Sequence, residues 1–128
     1  MFDSISHILG DLSKIAGIRN VLVIDKDGLL IAQGSSLPAK NKDTFEDLAS
    51  LFARAIHSFE PSLKATNIDH SGIKQLIIER ENNEKLIIFV AKDFILAVTT
   101  QDTINLGLVR MEMHDTLLKL TPLLESVS

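Results

Sequence analysis

Four histidines are the first residues to test for chemistry: His7, His57, His70 and His114. No two of them are four residues apart, the spacing that would put two imidazoles on one helical face to ligate zinc. Glu112 and His114 are two apart and diverge on a helix, so they form no acid–base pair. Each histidine therefore reads as a solvated side chain. Carboxylates are plentiful, but Asp3, Asp43, Asp102 and Glu46 fall where helix starts favour acidic groups for capping and dipole reasons alone. The string Asp25-Lys26-Asp27-Gly28 begins like a calcium loop, yet Ser36 occupies the twelfth position, where a bidentate Glu is required. Nothing matches Gly-x-x-x-x-Gly-Lys-Ser/Thr, no Gly-x-Gly-x-x-Gly follows a strand, and no Gly-x-Ser-x-Gly elbow occurs. The chain has no cysteine, which excludes disulfides, thiol catalysis and cysteine-ligated metals. The expectation is a non-enzymatic protein with no catalytic residues, no metal and no cofactor.

The bulk composition narrows the partners. At 128 residues, with 45% apolar and 23% charged side chains, residues 1–128 read as a single globular domain able to bury a core. A net charge of −4, no Trp and no Tyr leave neither a basic face nor aromatic platforms for nucleic acid. The longest apolar runs, such as Leu86–Ala91, fall far short of the roughly 20 residues a membrane helix needs. Met1-Phe2-Asp3-Ser4 lacks the basic start of a secretory signal. A cytoplasmic protein with no membrane insertion is expected.

Stepping along the chain, Asp3 to Ala16 places Ile5, Ile8, Leu9, Leu12, Ile15 and Ala16 on one helical stripe, with Asp3 or Ser4 as cap and Gly17 as a left-handed stop. Val21–Ile24 and Leu29–Ala32 form a hairpin around Asp25-Lys26-Asp27-Gly28. Gly34 to Lys42, with Pro38, reads as a loop. A second helix opens at Asp43 or Thr44 and runs to Glu60, before Pro61. Its main apolar face is Phe45, Leu48, Phe52, Ile56 and Phe59, with Leu51 and Ala55 flanking it. That arc is wider than one core-facing stripe requires, which leaves room for a second helix. Pro61–Gly72 has no regular pattern. The strands Ile73–Arg80, Glu84–Ala91 and Phe94–Thr100 follow, joined by loops too short for parallel crossovers. The runs Leu86–Val90 and Phe94–Val98 are apolar on both faces, so helices must cover both sides of the sheet. A last helix begins near Asp102 or Thr103 and extends past Leu118, with Pro122 bending or ending it. Its apolar residues form two rows, Ile104, Leu108, Met111, Leu118 and Val109, Met113, Leu117, Leu120, Leu124. Gly107 near its start reads either as a close approach to the sheet or as a tolerated glycine.

The order is thus α-β-β-α-β-β-β-α, an α+β fold. Val21 to Ala32, the strands Leu76–Arg80 and Leu86–Thr99, and Asn105-Leu106-Gly107-Leu108-Val109-Arg110 together resemble the roadblock and dynein light chain family, whose architecture is related to profilin-like and longin-like domains. The resemblance implies a five-stranded antiparallel sheet, with the first and last helices on one face and the second on the other. It also implies a homodimer in which Ile73–Arg80 pairs with its copy and the second helices pack side by side. The interface residues would be Leu48, Leu51, Phe52, Ala55, Leu76, Ile77 and Ile78. An uncovered edge strand this apolar is an aggregation hazard, and a symmetric copy removes it.

In bacterial members of the MglB type, the paired second helices are a platform on which a Ras-like small GTPase docks. Carried over by position, Asp43, Glu46, Asp47, Ser50, Arg54 and His57 would be the contacts, with Arg54 the anchor. The expected function is a regulator or scaffold for such a GTPase. The alternative is an adaptor subunit of a larger motor or membrane complex, with no effect on nucleotide turnover. The sequence does not distinguish this homodimer from a heterodimer with a second roadblock protein, and a small-ligand sensor finds no polar pocket residues in its favour.

Overall fold

A computed structural model describes residues 2–35, 42–65 and 74–125, which hold three helices and five strands. The first helix, α1 (Phe2–Ser13), stops three residues before Ala16, where the sequence pattern would have carried it. The N–H groups of Lys14 and Ile15 turn to the carbonyls of Asp11 and Leu12, at 3.2 and 3.1 Å, closing tighter i→i−3 turns. Gly17, at φ +94°, then redirects the chain, and a Cβ there would collide with Ile104 Cγ2.

The hairpin of β1 (Ile18–Asp25) and β2 (Leu30–Ser35) forms around the expected turn. Gly28 adopts φ +92° and donates its N–H to the Asp25 carbonyl at 3.1 Å. Asp25 Oδ1 accepts from the backbone N–H groups of Asp27 and Leu29, at 2.9 and 3.0 Å. That carboxylate is therefore spent on turn geometry.

The second helix, α2 (Lys42–Ala65), continues through Pro61 where a stop was expected. It forgoes the one bond that residue 61 would have donated to the His57 carbonyl. The strands β3 (Gln75–Glu79), β4 (Lys85–Val90) and β5 (Phe94–Thr100) follow. Asn83, at φ 68°, takes the left-handed position of the β3–β4 turn, which asparagine tolerates. The expected loop around Pro38, most of the irregular stretch Pro61–Gly72 and the start of the strand at Ile73 lie outside the described residues.

The last helix, α3 (Leu106–Glu125), begins later than Asp102 or Thr103 because Asn105 is the cap: its Oδ1 accepts the N–H of Leu108 at 3.1 Å. Pro122 lies within this helix and does not end it. Gly107 makes no close approach to the sheet, since an added Cβ would meet only Asn105 Oδ1, at 3.6 Å. The glycine that permits close packing is Gly34, where a Cβ would lie 3.0 Å from the Leu9 carbonyl oxygen and hold α1 off β2.

All pairings are antiparallel, in the spatial order β2-β1-β5-β4-β3. On one face Ile5, Leu9 and Leu12 of α1 and Val109, Met113 and Leu120 of α3 enclose Val21, Val23, Ile87, Phe89, Leu96 and Val98. On the other, Phe45, Ala49, Phe52 and Ile56 of α2 cover Leu22, Ile24, Ile88, Ile95 and Ala97. Each of the larger of these side chains, the alanines excepted, contributes roughly 1.5–3 kcal/mol on burial. Val21 to Ile24 and Phe94 to Val98 are buried at every position, as strands sandwiched between helices must be.

Candidate functional site: the two flanks of α2 and the β3 edge

With 3.6 residues per turn, Phe45, Ala49, Phe52 and Ile56 form the stripe of α2 that faces the sheet. Two flanks remain. On one lie Glu46, Asp47, Ser50, Arg54 and His57, all exposed. Asp43 belongs to the same flank by spacing, and its side chain is outside the described residues. The β1–β2 turn is fastened to this side. His57 Nε2 lies 2.8 Å from the Lys26 carbonyl oxygen, and since a carbonyl only accepts, Nε2 carries the proton and donates. A Cβ on Gly28 would lie 3.1 Å from Ala53 Cβ and 3.7 Å from Ser50 Cα, so the turn rests directly on the helix. The sequence reads His57 as a solvated side chain and a candidate partner contact; it is exposed, and it also ties two elements together.

The opposite flank is apolar: Leu48 and Ala55 are half-buried, while Leu51 and Phe59 are 47% and 49% exposed. Phe59 thus leaves the core-facing stripe to which its spacing assigned it. Phe52 moves the other way. Expected at an interface, it is 1% exposed and packed within the α2-side core, so it supports the flank from beneath and presents nothing to a partner. The pattern of a wide apolar arc could not say which member pointed straight down.

On β3, Leu76 and Ile78 stand opposite Ile88 and Leu86 on the α2 side, and Ile77 stands opposite Ile87 on the other. Leu48 of α2, Leu76 and Leu86 pack at the rim of the same core cluster. The backbone bonds from Arg80 N to Glu84 O and from Val90 N to Lys74 O, both 2.9 Å, set the alternation of the ladder. Even-numbered residues of β3 face β4, so Gln75, Ile77 and Glu79 aim their N–H and C=O groups outward. No further strand among the described residues covers that edge.

Sequence spacing gave no sign of the link between Lys26 and His57, which joins residues 31 positions apart. A second surface also emerged from a row left unassigned by its pattern: Leu108, Met111 and Leu118 of α3 are exposed. Beside them a groove of about 320 Å³ between α1 and α3 is lined in part by Asp11, Glu112, Asp115 and Lys119. Among the described residues no cluster of three or more His, Cys, Asp or Glu is arranged to hold a metal, and no helix is long and apolar enough to cross a membrane.

Comparison with known proteins bears on this geometry. A family profile described as Roadblock/LC7 domain matches residues 5–100. Uncharacterized protein MJ0714 of Methanocaldococcus jannaschii is 35% identical over 109 residues, spanning 85% of this chain and 86% of that protein. Among solved structures, Myxococcus xanthus MglB superposes with a TM-score of 0.82 at 27% identity, over 98% of each chain. A structure described as MglB with tetrameric arrangement gives a TM-score of 0.86 over 99% of this chain and 92% of that one; at 18% identity this is a likeness of fold.

Proposed function

The chain belongs to the Roadblock/LC7 domain family, and from that premise we propose that it acts as a non-enzymatic homodimer that binds and regulates a Ras-like small GTPase. The observation that carries this reading is the division of labour on α2. Its apolar flank, Leu48, Leu51, Ala55 and Phe59, needs cover, while the opposite flank is polar and braced by the β1–β2 turn. The outward backbone groups of Gln75, Ile77 and Glu79 supply the other half of a self-complementary interface.

A two-fold axis at Ile77 would pair Gln75 with Glu79 of the second copy and extend the sheet across both protomers. It would bring Leu76 and Ile78 from each copy together under the two apolar flanks of α2. The polar flanks would then lie on the outer side of the helix pair, with Arg54, Asp47, Glu46, Ser50 and His57 as the docking surface and Arg54 as its anchor. The chain's role would be to order the switch loops of the GTPase. The 27% identity to Myxococcus xanthus MglB supports a protein of the MglB type, from which self-association and a GTPase partner are carried over.

Single-turnover GTP hydrolysis and nucleotide release by a Ras-like GTPase from the same genome test this directly. A change in either rate on adding the protein supports a regulator. Binding with both rates unaltered supports the adaptor alternative, and absence of binding contradicts the proposal.

A further inference from the structure

The helix α3 buries Val109, Met113, Thr116, Leu120 and Leu124, and the opposite side of such a helix is ordinarily polar. Here it is not. Met111 and Leu118, which point away from that stripe, are 55% and 59% exposed, and Leu108 beside them is exposed as well. Leu108, Met111, Asp115, Leu118 and Pro122 follow one another in steps of three, four, three and four residues. That is the spacing of a helix-pairing seam.

We propose that this ridge is a second self-association surface, on which α3 of another copy of the chain docks antiparallel. The charges beside the seam select this occupant. Glu112 and Lys119 lie on the same side of the ridge, equidistant from a point between Asp115 and Thr116. A two-fold axis through that point sets Glu112 of each copy level with Lys119 of the other, giving two opposite-charge pairs. In the same register, at a rise of about 1.5 Å per residue, Leu118 of one copy falls between Met111 and Asp115 of the other. The midpoint of this opposite-charge pair falls within about one residue of the midpoint of Met111 and Leu118, a coincidence that a copy of the same helix requires and an arbitrary partner helix does not. The two Asp115 side chains meet near the axis and oppose the association, with Lys119 one turn away to offset them.

This surface is on the α1/α3 face of the sheet and is separate from the β3 edge, so it stands whether or not a GTPase is the partner. Two different two-fold contacts on one chain generate a closed tetramer when their axes intersect at right angles, a larger closed ring when they cross at another simple fraction of 180°, and an open chain when they do not meet.

Light scattering after size exclusion, over a range of concentrations, reads the outcome. The wild-type protein is expected to exceed two copies at the upper end, and Met111→Lys/Leu118→Lys to stop at two. Ile77→Pro alone should still pair through α3, and adding Leu118→Lys to it should leave monomer. Lys119→Glu should weaken the association, and Glu112→Lys/Lys119→Glu should restore it. Masses that are the same in wild type and in the ridge variants overturn the proposal, whether the ridge is then free or meant for a different protein. Failure of the charge swap to restore what Lys119→Glu lost overturns the antiparallel pairing.

Discussion

His57, two-thirds of the way along α2, donates from Nε2 to the backbone carbonyl of Lys26 in the β1–β2 turn, 2.8 Å away. The contact fixes the turn against the polar flank of the helix at its lower end, while Gly28 rests on Ala53 and Ser50 one to two turns earlier. The proposed docking surface is therefore built from two elements held in one orientation, so its residues are presented without first being ordered.

Gly28→Ala tests that seating. The alanine must adopt φ +92° and place its Cβ 3.1 Å from that of Ala53. A left-handed L-residue alone costs about 1–2 kcal/mol, so the variant should unfold at lower denaturant concentration by at least that much. His57→Ala, which removes only an exposed hydrogen bond, should cost no more than about 1 kcal/mol.

The edge-pairing model makes a sharper demand on Ile77. Its N–H aims away from β4, so Ile77→Pro removes an outward donor and leaves the ladder to β4 intact. The variant should keep its circular dichroism and lose the β3 interface, read as a fall in mass in solution. An unchanged mass, together with pairing that persists when Ile77→Pro is added to Met111→Lys/Leu118→Lys, would place the interface elsewhere.

Phe52 and Leu51 are adjacent in sequence and should behave oppositely. Phe52→Ala opens a cavity in the α2-side core and should cost about 3–5 kcal/mol of protomer stability. Leu51→Glu changes an exposed site and should alter protomer stability by only about 0.5 kcal/mol in the Ile77→Pro background. In the wild-type background it should weaken dimerisation, seen as a concentration-dependent mass.

Gly10 lies mid-helix in α1, and a Cβ there would meet nothing within 4 Å. Gly10→Ala should therefore stabilise the protein by about 0.5–1 kcal/mol through helix propensity. A rise in the thermal midpoint checks it.

The element order, the Asp25–Gly28 turn and the doubly covered central strands were legible because each rests on local chemistry: a glycine at positive φ, short loops, and apolar runs with no alternation. Element ends were less so. Asn105 caps α3 although Asp102 and Thr103 offer the same chemistry three and two residues earlier, and only the path of the chain past Gly17 and Ile104 decides among them. Pro61 and Pro122 marked helix ends by propensity, yet both helices run on. Of the candidate site, the polar flank of α2 could be read from spacing, because one helix carries it. The assignment of Phe52 and Phe59 could not, since a wide apolar arc has no unique lowest point until the sheet beneath it is known. The link from His57 to Lys26 depends on tertiary proximity alone.

The most direct test of the central claim is affinity capture from host lysate with the tagged protein, in GDP and in a non-hydrolysable GTP analogue, comparing wild type with Asp47→Lys/Arg54→Glu and identifying bound proteins by mass. The account predicts a Ras-like GTPase retained by wild type in one nucleotide state and lost by the variant, whose mass in solution stays that of wild type. Retention of only large motor or membrane-complex subunits, indifferent to nucleotide and to the substitutions on α2, would contradict it.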